Sequence, residues 1–290
     1  MRVGLGLAAL LFLLPVFTVT AVRGQRASEQ PEEPIQLLPP GEVDSARTLR
    51  VLDGDTVTEM TFSDYLQGVL RAEMPASFAQ DALCAQAVAA RTYTYYKMQN
   101  GGNHGDTADI CTDHTCCQAF LAKEKAAENW GKNAERYEAK IENAVSATDG
   151  QVMLYGGTPI LAVFHSSSAG ETWNSGQVWA QDLPYLQSVS SPEGEGVPNY
   201  YSTVELTEAE FREKFLAARP EADLSGPASE WIRDPVTDGV HVERITIGGV
   251  PVSGPSVRSI FGLRSASFTV EAGDGKITFY VTGYGHGVGM

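Results

Sequence analysis

Five soft or borderline metal ligands fall within fourteen positions of a chain that has only four Cys and five His: His104, Cys111, His114, Cys116 and Cys117. Zinc takes four nitrogen or sulfur ligands in a tetrahedron, and one short loop can supply them all. The expected set is His104, Cys111, Cys116 and Cys117, with His114 as the substitute for His104 or Cys116. Four protein ligands close the coordination shell, so such a metal would be structural. The competing arrangement is a disulfide between Cys111 and Cys117, since exported proteins favour oxidised cysteines. Cys84 stands apart and reads as a small buried hydrophobe.

Glu73 sits between Ala72 and Met74, just before Pro75. A carboxyl with apolar neighbours at a helix end is partly desolvated, which raises its pKa and keeps it protonated as a general acid requires. An ordinary helix-end glutamate has the same local sequence. Arg91 lies on an alanine-rich helix, on one stripe with Cys84 and Val88. An arginine on a buried stripe needs a carboxylate partner or a ligand. The stretch 165–172 is dense in hydroxyls: Ser166, Ser167, Ser168 and Gly170 could line a sugar site, with Trp173 or Trp179 as a stacking face. It lacks the G-x-S-x-G context of a nucleophile elbow. The last eight residues alternate glycine with other residues and carry Tyr284 and His286, two further candidates for substrate binding. Alternating glycines allow close backbone approach, and no Lys-Ser/Thr follows to make a phosphate loop.

These residues need elements to hold them. A hairpin is expected around Asp53-Gly54-Asp55. A helix capped by Ser63 then carries Tyr65, Leu66, Val69 and Leu70 at helical spacing and stops at Glu73, because the residue before proline avoids the helical region. An alanine-rich helix from about Gln80 to Met98 is the expected central core helix, and an amphipathic one runs from 119 to 147. Strands are expected at 151–155, 159–164, 240–247, 267–270 and 276–282, with a capping box at Thr207 and Glu210 before a helix to Ala218. Helices come first and strands mainly in the C-terminal half, which indicates an α+β fold built on central alanine-rich helices.

After Arg2, residues 3–22 are apolar apart from the mildly polar Thr18 and Thr20, and about 20 helical residues suffice to cross a bilayer. Residues 1–23 are expected to act as an uncleaved anchor or as a signal peptide, either of which exports the rest of the chain. Residues 24–47, with their prolines, are expected to form an extended linker, and 48–290 the folded domain. The localisation expected is the extracytoplasmic face of the cell membrane, or secretion if the segment is cleaved. Of the 290 residues, 36 are Asp or Glu and 21 Lys or Arg, giving a net charge of −15. That balance opposes nucleic acid and anionic lipid as partners and leaves a carbohydrate substrate open.

Taken together, Asp64-Tyr65-Leu66-Gln67-Gly68-Val69, Ala72-Glu73-Met74-Pro75, Ala85-Gln86-Ala87-Val88-Ala89-Ala90-Arg91-Thr92-Tyr93, Cys117-Gln118-Ala119-Phe120, Pro184-Tyr185-Leu186 and the terminal Gly-His-Gly-Val-Gly-Met resemble the stage II sporulation protein D family. The resemblance covers 48–290 in the family's order. It implies a peptidoglycan lytic transglycosylase acting during engulfment of the forespore, with Glu73 as the catalytic residue and Arg91 as the functional arginine. It also implies zinc on the Cys loop. The partners implied are glycan strands, the sporulation amidase and membrane proteins of the engulfment complex. The family's serine loop ends in two glycines, where this chain has Ala169-Gly170, and its members continue beyond the terminal glycine motif, so the chain looks short at Met290. One essential carboxyl would protonate the oxygen joining N-acetylmuramic acid to N-acetylglucosamine and then accept the proton of the C6 hydroxyl. The product is a 1,6-anhydro end, and no second carboxylate of the hydrolytic kind is needed. Two other readings stay open: a non-catalytic enhancer of a wall amidase, and a zinc amidase using His104 and Cys111.

Overall fold

The computed structural model describes residues 35–102, 104–193 and 196–290. The expected anchor or signal, 1–23, lies outside the described residues. Among those described, no helix is long and apolar enough to cross a membrane.

The chain builds an N-terminal helical lobe and a C-terminal sheet lobe, an α+β arrangement. Strands β1 (Thr48–Asp53) and β2 (Thr56–Thr61) form the expected antiparallel hairpin, turned at Gly54 with φ 57°. Helix α1 (Phe62–Glu73) follows at once. Its cap is Thr61 and not Ser63: Thr61 is still extended, so its hydroxyl can accept from the Asp64 amide at 3.0 Å, whereas Ser63 is already inside the helix. The helix ends at Glu73, where Met74 turns extended ahead of Pro75.

Helix α2 (Gln80–Gln99) buries Leu83, Ala87, Ala89, Ala90 and Tyr93, so it is buried on more than one face. Its alanines let neighbouring elements close around it. The two-residue strand β3 (Ile110–Cys111) pairs in parallel with β1 and brings the Cys loop against the hairpin. The single helix expected over 119–147 is two, α3 (Lys123–Trp130) and α4 (Ala134–Ala147). Gly131, at φ 54°, breaks it.

The linker expected to reach residue 47 ends earlier. Leu38 N–H bonds Asn143 Oδ1 at 2.8 Å, and Glu42–Ser45 form one helical turn whose first amides bond the Asp149 carboxylate. Asp44 is buried within that turn. Composition conceals this docking, because its anchor is a charge pair formed with a distant helix.

The strands expected at 151–155 and 159–164 shrink to Leu154–Tyr155 paired with Thr158–Pro159. The rest of the second strand lies along the C-terminal glycines: His165 N–H bonds Met290 O at 2.7 Å, and Met290 N–H bonds Val163 O at 3.2 Å. Here the alternating glycines have a physical purpose. A Cβ on Gly289 would sit 2.2 Å from Val163 O, and one on Gly285 2.7 Å from the His165 Cβ.

Strand β4 (Tyr201–Thr207) leads through the expected capping box of Thr207 and Glu210 into α5 (Glu208–Ala218). Strands β5 (Ile232–Thr237), β6 (Val242–Ile247) and β7 (Val250–Ser253) form one antiparallel sheet in the order β7-β6-β5. Helix α6 (Gly254–Phe261) precedes β8 (Phe268–Gly273) and β9 (Lys276–Thr282), and β9 lies between β8 and β4 in a second sheet. Phe211, Phe215, Trp231, Phe261 and Phe279 fill the core of this lobe.

Candidate active site

Glu73, the last residue of α1, lies in a cleft of about 530 Å³. Tyr93 and Lys97 from α2, residues 114–118 of the Cys loop, and Leu161, Val163, Phe164, Trp179 and His286 line it together with Glu73. Among the described residues lining the cleft, Glu73 is the one carboxylate. Its Oε1 accepts the Ala119 amide at 2.7 Å. Burial raises the Glu73 pKa above the ordinary carboxylate value, opposed by that amide and by the nearby His114 charge. Glu73 is thus a partly desolvated carboxyl held in one orientation by a backbone donor.

The loop behind it is over-determined. His104, Cys111, Cys116 and Cys117 place one ligand atom each within 4.8 Å of one another, a cluster that could hold a metal ion. All four cysteines are free, so the alternative of a Cys111–Cys117 disulfide is not formed. His114 does not join the cluster: its side chain is 77% exposed, with its ring near Asp113. Next in sequence, the Gln118 amide is buried, and its orientation follows from its neighbours. Tyr65 donates its hydroxyl proton to Cys111 O and Thr94 donates its own to Ala90 O, so both can only accept from Gln118 Nε2. Cys117, Gln118 and Ala119 therefore tie the cluster, the core and Glu73 together in three consecutive residues.

Arg91 is not part of the cleft. It is fully buried and pairs with Asp44 at 2.8 Å. Its remaining donors go to Ala87 O, Val145 O, Gln151 O and Thr148 Oγ1. A guanidinium committed in this way has no donor for a sugar, and its work is to lock residues 42–45 onto α2 and α4.

The serine loop also divides. Ser166 is exposed. Ser167 and Ser168 are buried: the Ser167 hydroxyl donates to Glu193 Oε2 at 2.5 Å, the Ser168 amide to Glu193 Oε1 at 2.6 Å, and the Ser168 hydroxyl to Ser191 O. Gly170, at φ 106°, pairs with Ser191. These three residues shape the loop and do not line the cleft. Glu193, which organises them, carries no signal in the sequence because it lies in a separate polar stretch.

Of the two tryptophans, Trp173 is buried and stacked on His241 at 4.6 Å, whereas Trp179 is 38% exposed and lines the cleft. Trp179 packs 4.9 Å from the His286 ring. Burial, aided by His165 and Arg258, pushes the His286 pKa down to about 4, so the ring is neutral near pH 7. Tyr284 is exposed, with the Arg264 guanidinium 5.0 Å from its ring centre, and it is not part of the cleft wall.

A family model described as "Stage II sporulation protein" matches residues 53–155, which take in the hairpin turn, β2, α1, α2, the Cys loop, α3 and α4. Over 236 residues the chain is 35% identical to stage II sporulation protein D of Bacillus subtilis, covering 81% of this chain and 67% of that protein. The chain belongs to the stage II sporulation protein D family. The Bacillus amyloliquefaciens protein of the same name is 34% identical over the same length. A protein named amidase enhancer, also from B. subtilis, is 32% identical over 180 residues, which cover 62% of this chain and 21% of that protein. The family-model match places the Glu73 cleft wall and the His-Cys cluster inside the family's shared segment, whereas Trp179 and His286 lie downstream of it.

In the sequence Tyr93 and Gln118 stand only as members of longer motifs, with no role of their own, and Lys97 carries no signal. They sit on different elements from Glu73 and meet it only through the packing of α1, α2 and the Cys loop.

Proposed function

We propose that this member of the sporulation family is a peptidoglycan lytic transglycosylase, with Glu73 as its catalytic residue. The observation that carries the reading is a single, partly buried carboxyl in an open cleft that Trp179 also lines, with no second carboxylate among the described lining residues. A protonated Glu73 donates to the glycosidic oxygen between N-acetylmuramic acid and N-acetylglucosamine. The resulting carboxylate takes the proton of the C6 hydroxyl as that oxygen closes onto C1, giving a 1,6-anhydro end. Hydrolytic glycosidases of the usual kind need a second carboxylate to activate water or to attack. Digestion of purified glycan strands, with the products identified by mass, tests this: anhydro-muropeptides support it, and reducing ends produced by hydrolysis or intact strands overturn it.

The second reading, a non-catalytic glycan-binding enhancer of a wall amidase, is favoured by the partial likeness to the protein of that name. It expects intact strands in the digest and a faster amidase when the two proteins are mixed. The proposed setting is export through the segment 1–23, with the folded domain on the extracytoplasmic face.

Zinc fits the His-Cys cluster. With Zn–S near 2.3 Å and Zn–N near 2.0 Å, the edges of a tetrahedron are about 3.5–3.8 Å. The edges given by Cys116 Sγ to His104 Nε2, Cys116 Sγ to Cys117 Sγ and Cys117 Sγ to His104 Nε2 are 3.5, 3.7 and 3.8 Å. Four protein ligands leave no open position for water, which argues against a zinc amidase. The metal's contribution when bound is to hold the loop that presents the Ala119 amide to Glu73. Cys117→Ser is expected to lose bound zinc, measured by elemental analysis, and to lower Tm. A variant that keeps wild-type Tm without zinc would remove the structural role.

The pH profile follows from Glu73. Its raised pKa extends the protonated, proton-donating form to higher pH than an exposed glutamate allows. Turnover is expected to fall as pH rises through that value, with a single alkaline limb. His286 stays neutral above about pH 4 and adds no limb near neutrality. Rates measured from pH 4 to 9, a range of roughly five units chosen to bracket ordinary Glu and His values, check this.

A further inference from the structure

Tyr93 is a buried member of the N-terminal core and also lines the Glu73 cleft. Its ring is fixed: it sits on α2, and the Lys97 ammonium lies 5.5 Å from its centre, one helical turn on. Its hydroxyl makes no hydrogen bond among the described residues. It is also absent from the fully enclosed polar atoms that lack a partner, so the hydroxyl meets solvent, and the residue lines the cleft. The contrast with Tyr65 and Thr94 is informative, because both of those hydroxyls are spent on backbone carbonyls. Tyr93 and Glu73 line the same cleft.

A phenol hydroxyl in the same cleft as the acid, with no hydrogen-bond partner of its own, is a donor placed for a ligand. On a glycan of 2-acetamido sugars the strongest neutral acceptor is the acetamido carbonyl; ring and glycosidic oxygens and hydroxyls are weaker. We infer that the Tyr93 hydroxyl donates to the acetamido carbonyl of the sugar bound beside Glu73, and so makes N-acetylation a requirement of the cleft. This rests on the glycan-cleaving reading above and names a specificity-determining contact for it. A hydrogen bond from a neutral donor that replaces one to water contributes a modest net amount, so the expected effect is roughly 3- to 10-fold in affinity.

The test uses the full chain carrying Glu73→Gln, so that binding is read without turnover, with peptide-free glycan strands as probe, either fully N-acetylated or chemically de-N-acetylated. With Tyr93 present, N-acetylated strands are expected to bind more tightly. Adding Tyr93→Phe, with Tm checked against the parent, is expected to weaken binding of N-acetylated strands about 3- to 10-fold and to leave that of de-N-acetylated strands unchanged. If the preference for N-acetylated strands survives Tyr93→Phe undiminished, the Tyr93 contact is overturned and the glycan cleft stands. If neither strand binds the parent, the glycan reading falls and the contact with it.

Discussion

Glu73→Gln is expected to lower the yield of anhydro-ended products by about 10²–10⁴-fold, the range that a positioned proton donor contributes, while leaving the protein folded. The substitution is nearly isosteric, and the carbonyl oxygen of the introduced side-chain amide can still accept the Ala119 amide that Glu73 accepts at 2.7 Å. The stability effect has a definite sign. Burial raises the Glu73 pKa in the folded state, so the fold binds this proton more tightly than the unfolded chain does. The stabilisation from the protonated group is therefore full below the unfolded pKa and is lost as pH rises through the folded one. Above the folded pKa the wild type carries a disfavoured carboxylate that Glu73→Gln lacks. Calorimetry should accordingly give the variant a Tm equal to or above that of wild type at pH 7. A variant that loses both activity and several degrees of Tm would show that Glu73 holds the loop instead of reacting.

Arg91→Leu is expected to act in the opposite way, with a large loss of stability and little effect on the chemistry of molecules that remain folded. It strands Asp44, which is 1% exposed, without its counter-charge. Removing one member of a buried ion pair costs about 3–5 kcal/mol, and at about 2–4 °C per kcal/mol for a domain of this size Tm should drop by roughly 6–20 °C. Arg91→Lys should recover little of this. A single ammonium cannot replace a planar fork that serves Asp44 and four other oxygens at once. Thermal melts, paired with glycan binding measured well below Tm, separate stability from recognition. Arg91→Leu with wild-type Tm and lost glycan affinity would return Arg91 to the substrate.

The amino-acid sequence by itself determined the features that depend on neighbours in the chain. The hairpin at Gly54, the stop of α1 at Glu73 before Pro75, and the capping box of Thr207 and Glu210 are set within a few residues, and each was legible. So was the grouping of His104, Cys111, Cys116 and Cys117, a cluster that could hold a metal ion, because one short loop supplies all four. What tertiary structure decided was the assignment of side chains whose partners are remote. Whether Arg91 serves a substrate or a core depends on Asp44, 47 residues away. Whether Ser167 and Ser168 are free depends on Glu193, and whether Trp173 or Trp179 faces the cleft depends on which of them finds His241. Glu73 belongs to both classes. Its place at a helix end is local, but its enclosure by Tyr93, the Ala119 amide and His286 exists only because α2, the Cys loop and the C-terminal glycines converge on it. Burial and proximity, which tune a carboxyl for acid catalysis, arise from packing across the fold, and no local stretch of sequence carries them.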